Sequence, residues 1–395
     1  PGFPEADKIR MKREAKFLVG YLHFVLLRQY GPIVLMKDVV PLDAPAEVYY
    51  PKRRPYDECV AYIVQMLDES ANVLPNGAPD GSSVAPNEYG RATAAAARAI
   101  KSRVLLYAAS PAYNGNTEFY QNFKNKDGEP LMSLTPDNNK WKKAADAAIE
   151  AIQFAEINGY GLYETKQEIS DPAKKAQTNY RYSMVEPWNN ELLWGYSVGE
   201  GYYGWQRHSA PRNAGSDMPY NGHAPTLRMV EEYYTKNGLP IEVDPDFDYK
   251  KRYDLEGTTI RLHQNRESRF YATIGYDRGI YEFGNTNIEL KMRFNEPHGY
   301  NTTTAANNYS PTGYLLKKGV HPQSVITNSQ NSVVQYPWPI IRLAELYLNY
   351  AEASNEFDGT ASHVAVIKYL DKIRSRSGIP GLLAAWSKVG ENSFT

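Results

Sequence analysis

The chain has 395 residues, and its 44 lysine and arginine residues almost balance its 45 aspartate and glutamate residues. This length allows one large domain or two packed lobes, and the charge balance excludes the basic surface typical of nucleic-acid-binding proteins. A single cysteine, Cys59, excludes an intrachain disulfide and a thiolate zinc site, and the chain contains no apolar run of the roughly 20 residues that a membrane-spanning helix needs.

Three runs along the chain have the apolar spacing of amphipathic helices, and a second amphipathic segment follows each of them. Apolar residues recur at intervals of three and four in the runs, as on one face of a helix. The predicted pairs are 15–31 with 56–75, 97–110 with 141–160, and 341–356 with 363–380. Small residues such as Ala94, Ala144 and Ala351 allow the close helix packing of tetratricopeptide-type hairpins. The connections differ too much in length for a regular solenoid.

Between residues 180 and 338 the helical spacing gives way to short runs of β-type residues, separated by Gly, Asn, Pro and Ser. The predicted strands are 191–198, 270–276 and 288–294. One helix is predicted in this region, beginning at Thr226 and ending at Gly238.

These patterns predict a mainly α fold, with divergent tetratricopeptide-like helix pairs and a large loop-rich insertion that contains short β-strands. Loops on a rigid scaffold commonly bind ligands. The predicted division is a helical scaffold over 1–180, a loop-rich ligand-facing lobe over 181–338, and a returning pair of scaffold helices over 339–395.

Residues 199–204 read GEGYYG, which matches the glycine spacing of a dinucleotide-binding motif. That motif requires a helix directly after the glycines to hold the pyrophosphate. The following WQRHSAPRNAG has no amphipathic pattern and contains Pro211. We therefore predict no helix after the motif and reject a dinucleotide site.

Other chemical motifs are weak or absent in the sequence. There is no Walker loop, no G-x-S-x-G and no H-E-x-x-H, so no cofactor, metal or catalytic residue is predicted. Asp244, Asp246 and Asp248 resemble the start of a calcium loop, but Tyr249 stands where glycine is required, which favours a solvated acidic turn. Glu186 and Glu191 stay open as a glycosidase pair, because a sequence does not give the distance between two carboxylates.

The candidate ligand-binding residues come from the same stretch as the glycines. Tyr202, Tyr203, Trp205 and Arg207 place aromatic rings and a guanidinium close together, and Trp188, Tyr220 and Asn221 are the second choices. An aromatic ring buries the C–H face of a sugar, while amides and guanidinium groups bind its hydroxyls. The alternative is a mobile loop whose aromatic rings pack on the scaffold or on a partner protein.

Several segments resemble the SusD/RagB family of outer-membrane lipoproteins. ASPAYNGNTEF, with KDGEPLM and KWKKAADAAIEAI after it, is similar to a typical family segment. PTLRMVEEYYTKNGLPI, PTGYLLKKGVHP and WPIIRLAELYLNYAEASNE are similar to later family segments in the same order. The resemblance covers nearly the whole chain. It implies a non-enzymatic, lipid-anchored cell-surface protein that delivers glycans or peptides to a SusC-like TonB-dependent transporter, and it implies a structural role for the SPAYNGN loop.

The chain also departs from that family. The family's N-terminal signal and lipidated cysteine and its C-terminal helical region are missing here, which favours a fragment. The family's ligand residues lie in variable loops, so none is transferred to this sequence. The leading hypothesis is glycan capture; peptide capture, a lid that binds nothing by itself, and a glycosidase stay open.

Overall fold

The computed structural model describes residues 2, 4–79, 85–197, 201–212, 218–303, 307–358 and 364–390, without the side chains of residues 86 and 201–203. Its α-helices are α1 (Glu5–Tyr30), α2 (Ala46–Tyr49), α3 (Tyr56–Ala71), α4 (Ala94–Ala109), α5 (Thr117–Tyr120), α6 (Asn139–Ile157), α7 (Pro172–Val185), α8 (Gly201–Ser209), α9 (Leu227–Glu231), α10 (Ser268–Thr273), α11 (Leu343–Asp358), α12 (Val364–Arg376) and α13 (Leu382–Trp386). Its strands are β1 (Leu192–Tyr196), β2 (Leu255–Glu256), β3 (Thr259–Ile260), β4 (Ile274–Gly275), β5 (Ile280–Phe283), β6 (Thr286–Glu289), β7 (Leu315–Leu316), β8 (Val325–Ile326), β9 (Asn331–Ser332) and β10 (Trp338–Arg342).

The chain divides into two compact units. The helical unit comprises Pro1–Gly161, Asn190–Trp194 and Ile340–Tyr369, and the loop-rich unit comprises Leu162–Asn189, Gly195–Pro339 and Leu370–Thr395. The two units are distinguished by how compactly their residues pack, and this packing does not show which residues contact a ligand. The ligand-facing lobe over 181–338 therefore stays a prediction.

In the helical unit the long helices pack side by side. Helix α3 packs against α1 and α4, and α6 packs against α4 and α11. A Cβ atom at Gly20 of α1 would lie 3.2 Å from Cβ of Met66, so glycine allows the close approach of α1 to α3. Tyr369 of α12 contacts Tyr347 of α11 at 4.9 Å between ring centroids. The predicted mainly α fold of packed helix pairs is confirmed.

The SPAYNGN loop is held by its own contacts in the helical unit. Asn114 and Asp137 exchange two hydrogen bonds of 2.9 and 3.0 Å between the Asn114 amide and the Asp137 backbone. Tyr113 stacks on Tyr56 at 4.8 Å, and Gly115 has φ +78° where a Cβ atom would lie 2.5 Å from Pro136. These contacts give the loop the structural role that the family resemblance implies.

The loop-rich unit is built from two-stranded pairs rather than from one sheet. Antiparallel pairs join β2 with β3, β4 with β7, β5 with β6, and β8 with β9. Buried side chains of the described residues in this unit form cores around Tyr281 and Leu315, around Phe270 and Ile241, and around Val185 and Tyr336.

Two predictions of secondary structure in this unit are wrong in part. The strand predicted over 270–276 is mostly helix α10, with only Ile274 and Gly275 in a strand, and the strand predicted over 288–294 ends at Glu289. The run FYAT forms a helical turn instead. This turn places the side chain of Phe270 in the core, where it is fully buried. Tertiary packing therefore overrides the local β-propensity.

The helix predicted over 226–238 begins where expected and ends early. The Thr226 hydroxyl accepts a hydrogen bond from the Met229 amide at 3.3 Å, but α9 ends at Glu231. The buried Arg266 guanidinium donates to the carbonyls of Val230 and Tyr233 at 2.8 and 2.5 Å. The backbone of Thr235 then pairs with Arg266 as an antiparallel bridge. A longer helix would need these backbone groups for its own hydrogen bonds.

The prediction that no helix follows the glycines is also wrong, because α8 spans Gly201–Ser209. Its Gln206 is fully buried, donates to the Val334 carbonyl at 3.0 Å, and accepts from the His321 amide and the Ser324 hydroxyl at 3.0 and 2.6 Å. Long-range contacts thus stabilise a helix that the local pattern does not indicate. A dinucleotide fold stays rejected because every sheet formed by the described residues is two-stranded.

Candidate functional site

Helix α8, the segment 220–223 that returns to it, and the first residue of β10 bring six aromatic and basic side chains together. We call them the α8 cluster: Trp205, Arg207, His208, Tyr220, His223 and Trp338. His208 is exposed and the other five are half-buried, so the cluster lies at the surface of the loop-rich unit.

The backbone of residues 220–223 fixes this arrangement. The amides of Tyr220 and Gly222 donate to the carbonyls of Arg207 and His208 at 2.8 and 2.7 Å, and the His223 amide also donates to His208 at 3.0 Å. These carbonyls belong to the last turn of α8, which has no partners for them within the helix. The returning segment therefore completes the end of α8 and holds its own aromatic rings beside the helix.

Trp205 is the centre of the aromatic part of the cluster. Its ring centroid lies 4.7 Å from His223 and 5.1 Å from Trp338, and the latter pair meets edge to face at 75°. The indole Nε1 donates to the Lys318 carbonyl at 3.4 Å. The indole is thus fixed on three sides, which lowers the entropy lost when a ligand contacts its remaining surface.

Arg207 and His208 supply the polar part. The Arg207 guanidinium lies over the Tyr220 ring, 4.1 Å from its centroid, and donates to the Tyr220 hydroxyl. His208 contacts Tyr220 at 4.9 Å and His223 at 5.6 Å. Burial and the neighbouring His208 lower the pKa of His223, whose Nδ1 lies 2.8 Å from the Ser209 hydroxyl. The cluster therefore combines flat apolar faces with hydrogen-bonding groups at neutral pH.

The structure places three of the seven candidate residues together, namely Trp205, Arg207 and Tyr220. The side chains of Tyr202 and Tyr203 lie outside the described residues, although their backbone belongs to α8. Trp188 lies on another segment, the turn between α7 and β1, where it is half-buried with φ 50°. The sequence reasoning missed His223 and Trp338, because only the fold brings these distant segments to α8.

Asn221 has a different place from its neighbour Tyr220. It is fully buried with φ 56°, and its amide donates to the His298 carbonyl at 2.6 Å. Asparagine adopts this left-handed conformation more readily than most residues. In this conformation Asn221 holds two loops together and does not face solvent.

A second polar group in the loop-rich unit lines a cavity of about 300 Å³. We call Lys174, Arg181, Glu282 and Lys317 the Glu282 cluster. Lys174, Arg181 and Lys317 donate to the Glu282 carboxylate at 2.6, 2.6 and 2.9 Å. Lys317 also donates to the carbonyls of Tyr271 and Ile280 at 2.8 and 2.9 Å, so its three N–H groups have three acceptors.

The Glu282 cluster stabilises the fold through charges that compensate one another. Burial opposes ionisation of Glu282, but the charges of Lys317 and Arg181 outweigh burial and hold the pKa of Glu282 below its usual range. Burial lowers the pKa of Lys317 to about 8, although Glu282 acts in the opposite direction. This mutual compensation favours a structural role for the cluster.

The catalytic and metal alternatives find no support in the arrangement of their residues. Glu191 is fully buried and accepts from Arg342 at 2.5 Å, so it is an ion-paired core residue. The prediction of a solvated turn is wrong for Asp244, which is buried and accepts from Thr235, Asn237 and the Asp246 amide. Within the described ranges, no group of His, Cys, Asp or Glu is placed to hold a metal ion. None of the helices described here combines the length and the apolar character needed to cross a bilayer.

Family models match both parts of the chain. The model described as the SusD family matches residues 188–394, which is more than half of the chain. A second model, described as starch-binding associating with the outer membrane, matches residues 3–106. The expected outer-membrane association is therefore confirmed. None of the curated proteins compared with the chain matches it.

Solved structures share the fold. A protein named BT4246 is 34% identical, with a TM-score of 0.83 over 96% of this chain and 68% of its own. A SusD-like protein (BF3747) from Bacteroides fragilis is 21% identical, with a TM-score of 0.69 over 96% of this chain and 64% of its own. A SusD-like carbohydrate-binding protein (BF0978) from the same species is 21% identical, with a TM-score of 0.64 over 96% and 61%. The match of the SusD family model to more than half of the sequence shows that the chain belongs to the SusD family, and these structures share its fold.

Proposed function

We propose that this protein binds oligosaccharide at the outer-membrane surface, with the α8 cluster as the binding site. The observation that supports this most directly is the half-buried Trp205, fixed by its neighbours and flanked by Arg207, His208 and Tyr220. An aromatic face beside fixed hydrogen-bonding groups suits a sugar ring, whose C–H face is apolar and whose edge bears hydroxyls. The SusD-family membership and the starch-binding description of the second family model agree with a glycan ligand.

Binding rather than catalysis fits the chemistry of the cluster. Its titratable groups are an arginine, two histidines and a tyrosine, and it includes no carboxylate pair of the kind that glycoside hydrolysis uses. The bound glycan would pass to a SusC-like TonB-dependent transporter, with the protein held at the membrane by an N-terminal lipid. Copurification of such a transporter with the protein from outer membranes tests this step.

The site is tested by affinity electrophoresis in gels that contain amylopectin, xyloglucan, galactomannan, pectic galactan or yeast mannan. We expect one polymer to retard the wild-type protein, and Trp205→Ala to weaken its binding about tenfold or more, because a central aromatic contact is worth at least 1–2 kcal/mol. The matched control is Trp386→Ala, which removes another half-buried tryptophan of the same unit, on α13.

Equal retardation of Trp205→Ala and wild type would reject the α8 cluster as the site. A protein that no polymer retards, but whose tryptophan fluorescence changes on titration with a peptide digest, would replace glycan capture by peptide capture.

A further inference from the structure

Outside the α8 cluster, three aromatic rings of the loop-rich unit form an exposed group. Phe294 is 67% exposed, Tyr300 39% and Tyr309 37%. Phe294 and Tyr300 are nearly parallel, at 27° and 6.0 Å between centroids, and Tyr309 meets Tyr300 edge to face at 5.0 Å. Single exposed apolar residues are normal, whereas a contiguous exposed aromatic group indicates a binding surface.

The described residues of the loop that bears these rings are held in place by contacts with Arg212. The Arg212 guanidinium is buried and donates to the carbonyls of Pro297, Gly299 and Asn308 at 3.1, 3.2 and 2.9 Å. A Cβ atom at Gly299 would overlap the Arg293 carbonyl oxygen, so the tight turn requires glycine. Arg212 lies three residues after the end of α8, so its hydrogen bonds connect the aromatic loop to the segment beside the α8 cluster.

Hydrogen-bonding groups surround the rings. The backbone amide of Asn295 donates to the Tyr300 carbonyl at 2.8 Å. This bond fixes the spacing between the rings of Phe294 and Tyr300. Asn295 Oδ1 accepts from the exposed Thr302 at 3.3 Å, and Asn301 Nδ2 donates to the Asn295 carbonyl at 2.9 Å. The exposed side chains of Asn295 and Thr302 therefore place an amide and a hydroxyl beside the rings, and such groups bind sugar hydroxyls.

A protein partner fits this group less well than a sugar. Even complete burial of three aromatic side chains covers about 450–750 Å², which is below the roughly 800 Å² per partner of a standard protein interface. A few rings with a polar rim instead match the size of a short stretch of glycan.

We propose that Phe294, Tyr300 and Tyr309 form a second sugar-binding platform, which takes the pyranose rings of a long glycan whose other residues occupy the α8 cluster. This inference rests on the proposed function. Two attached sites on one polymer raise the overall affinity by effective concentration, whereas an oligosaccharide too short to reach both sites gains nothing.

The test compares Phe294→Ala with wild type on the same five polymers and, by calorimetry, on tetrasaccharides prepared from whichever of them retards the wild-type protein. We expect polymer binding to weaken roughly fivefold to tenfold, as for loss of one stacking contact, with tetrasaccharide binding at the α8 cluster unchanged. Phe294→Trp should keep the polymer affinity, because it keeps an aromatic face. Phe119→Ala, which removes a 73% exposed phenylalanine from α5, is the matched control and should bind as wild type.

The outcomes separate the two proposals. Loss of binding in Trp205→Ala with unchanged polymer binding in Phe294→Ala overturns the second platform alone. Equal weakening of polymer and tetrasaccharide binding in Phe294→Ala also overturns it, since one site would then serve both ligands. No binding of any polymer by wild type contradicts both proposals. Because Phe294 is mostly exposed, its variants should melt within about 2 °C of wild type.

Discussion

The α8 cluster and the Glu282 cluster both lie in the loop-rich unit beside open space, and their polar groups are used differently. In the Glu282 cluster three cations surround one carboxylate, and Lys317 spends all three of its N–H groups on acceptors of the protein. In the α8 cluster the Arg207 guanidinium lies over the Tyr220 ring, and His208 is exposed. A cavity is therefore not a binding site by itself. A ligand also needs aromatic faces or polar side chains that are exposed to it, as His208 is.

The largest expected effect comes from breaking the Glu282 cluster. We expect Glu282→Gln to lower the free energy of unfolding by about 3–5 kcal/mol, because it leaves buried Arg181 and Lys317 without their carboxylate. Urea denaturation measures this change. Retention on the glycan gels should stay the same.

The control for this prediction is Glu242→Gln, which removes an exposed carboxylate of the same unit. It should change stability by less than about 0.5 kcal/mol. A Glu282→Gln variant as stable as this control would show that the cluster does not support the fold, and the contrast between the two regions would fail.

The next effect in size is a pH dependence beside the Glu282 cluster. Burial and the charge of Arg181 lower the pKa of His321 to about 4. Between pH 6.5 and 4 the unfolded chain then binds a proton at His321 that the folded chain does not, so stability falls as the pH falls through this window.

Denaturation of wild type and His321→Gln at pH 7.5 and pH 5 isolates this contribution. We expect wild type to lose on the order of 1–2 kcal/mol more than the variant over this interval. The other buried histidines, His23, His263 and His298, are present in both proteins, so their contributions cancel in the difference. If the free energy of unfolding falls equally in the two proteins, folding does not lower the pKa of His321, and this prediction is wrong.

The smallest expected effect sharpens the description of the α8 cluster. Arg207→Lys keeps the charge but loses the planar group over Tyr220, and we expect glycan affinity to fall about twofold to fivefold, as for the loss of a cation–π contact of about 0.5–1 kcal/mol. Calorimetry with the glycan that retards the wild-type protein in the gels measures this change in affinity.

Arg252→Lys is a closely matched control, because Arg252 lies over Tyr249 and Tyr253 at 4.0 and 4.3 Å, elsewhere in the same unit. A similar change in stability is expected for both variants, but a change in glycan affinity only for Arg207→Lys. If both variants lose affinity equally, the effect comes from loosening of the unit and not from the cluster.

The tyrosines show how far residue type predicts environment. Tyr281 is fully buried and donates to the Leu316 carbonyl at 2.8 Å, whereas Tyr300 lies in the exposed aromatic group. Residue type alone does not predict which tyrosines are exposed, because burial depends on the residues that the fold brings alongside.

The sequence by itself determined the paired scaffold helices, the start of α9 at Thr226 and, through its resemblance, the SusD family. Apolar spacing and capping act within a few residues, so a linear pattern contains them. Tertiary structure alone decided that α8 forms around buried Gln206, that α9 ends at Glu231, and that Trp338 and His223 meet Trp205. Each of these depends on hydrogen bonds or ring contacts between segments far apart in the chain, whose energies exceed the local preferences of the residues that they override.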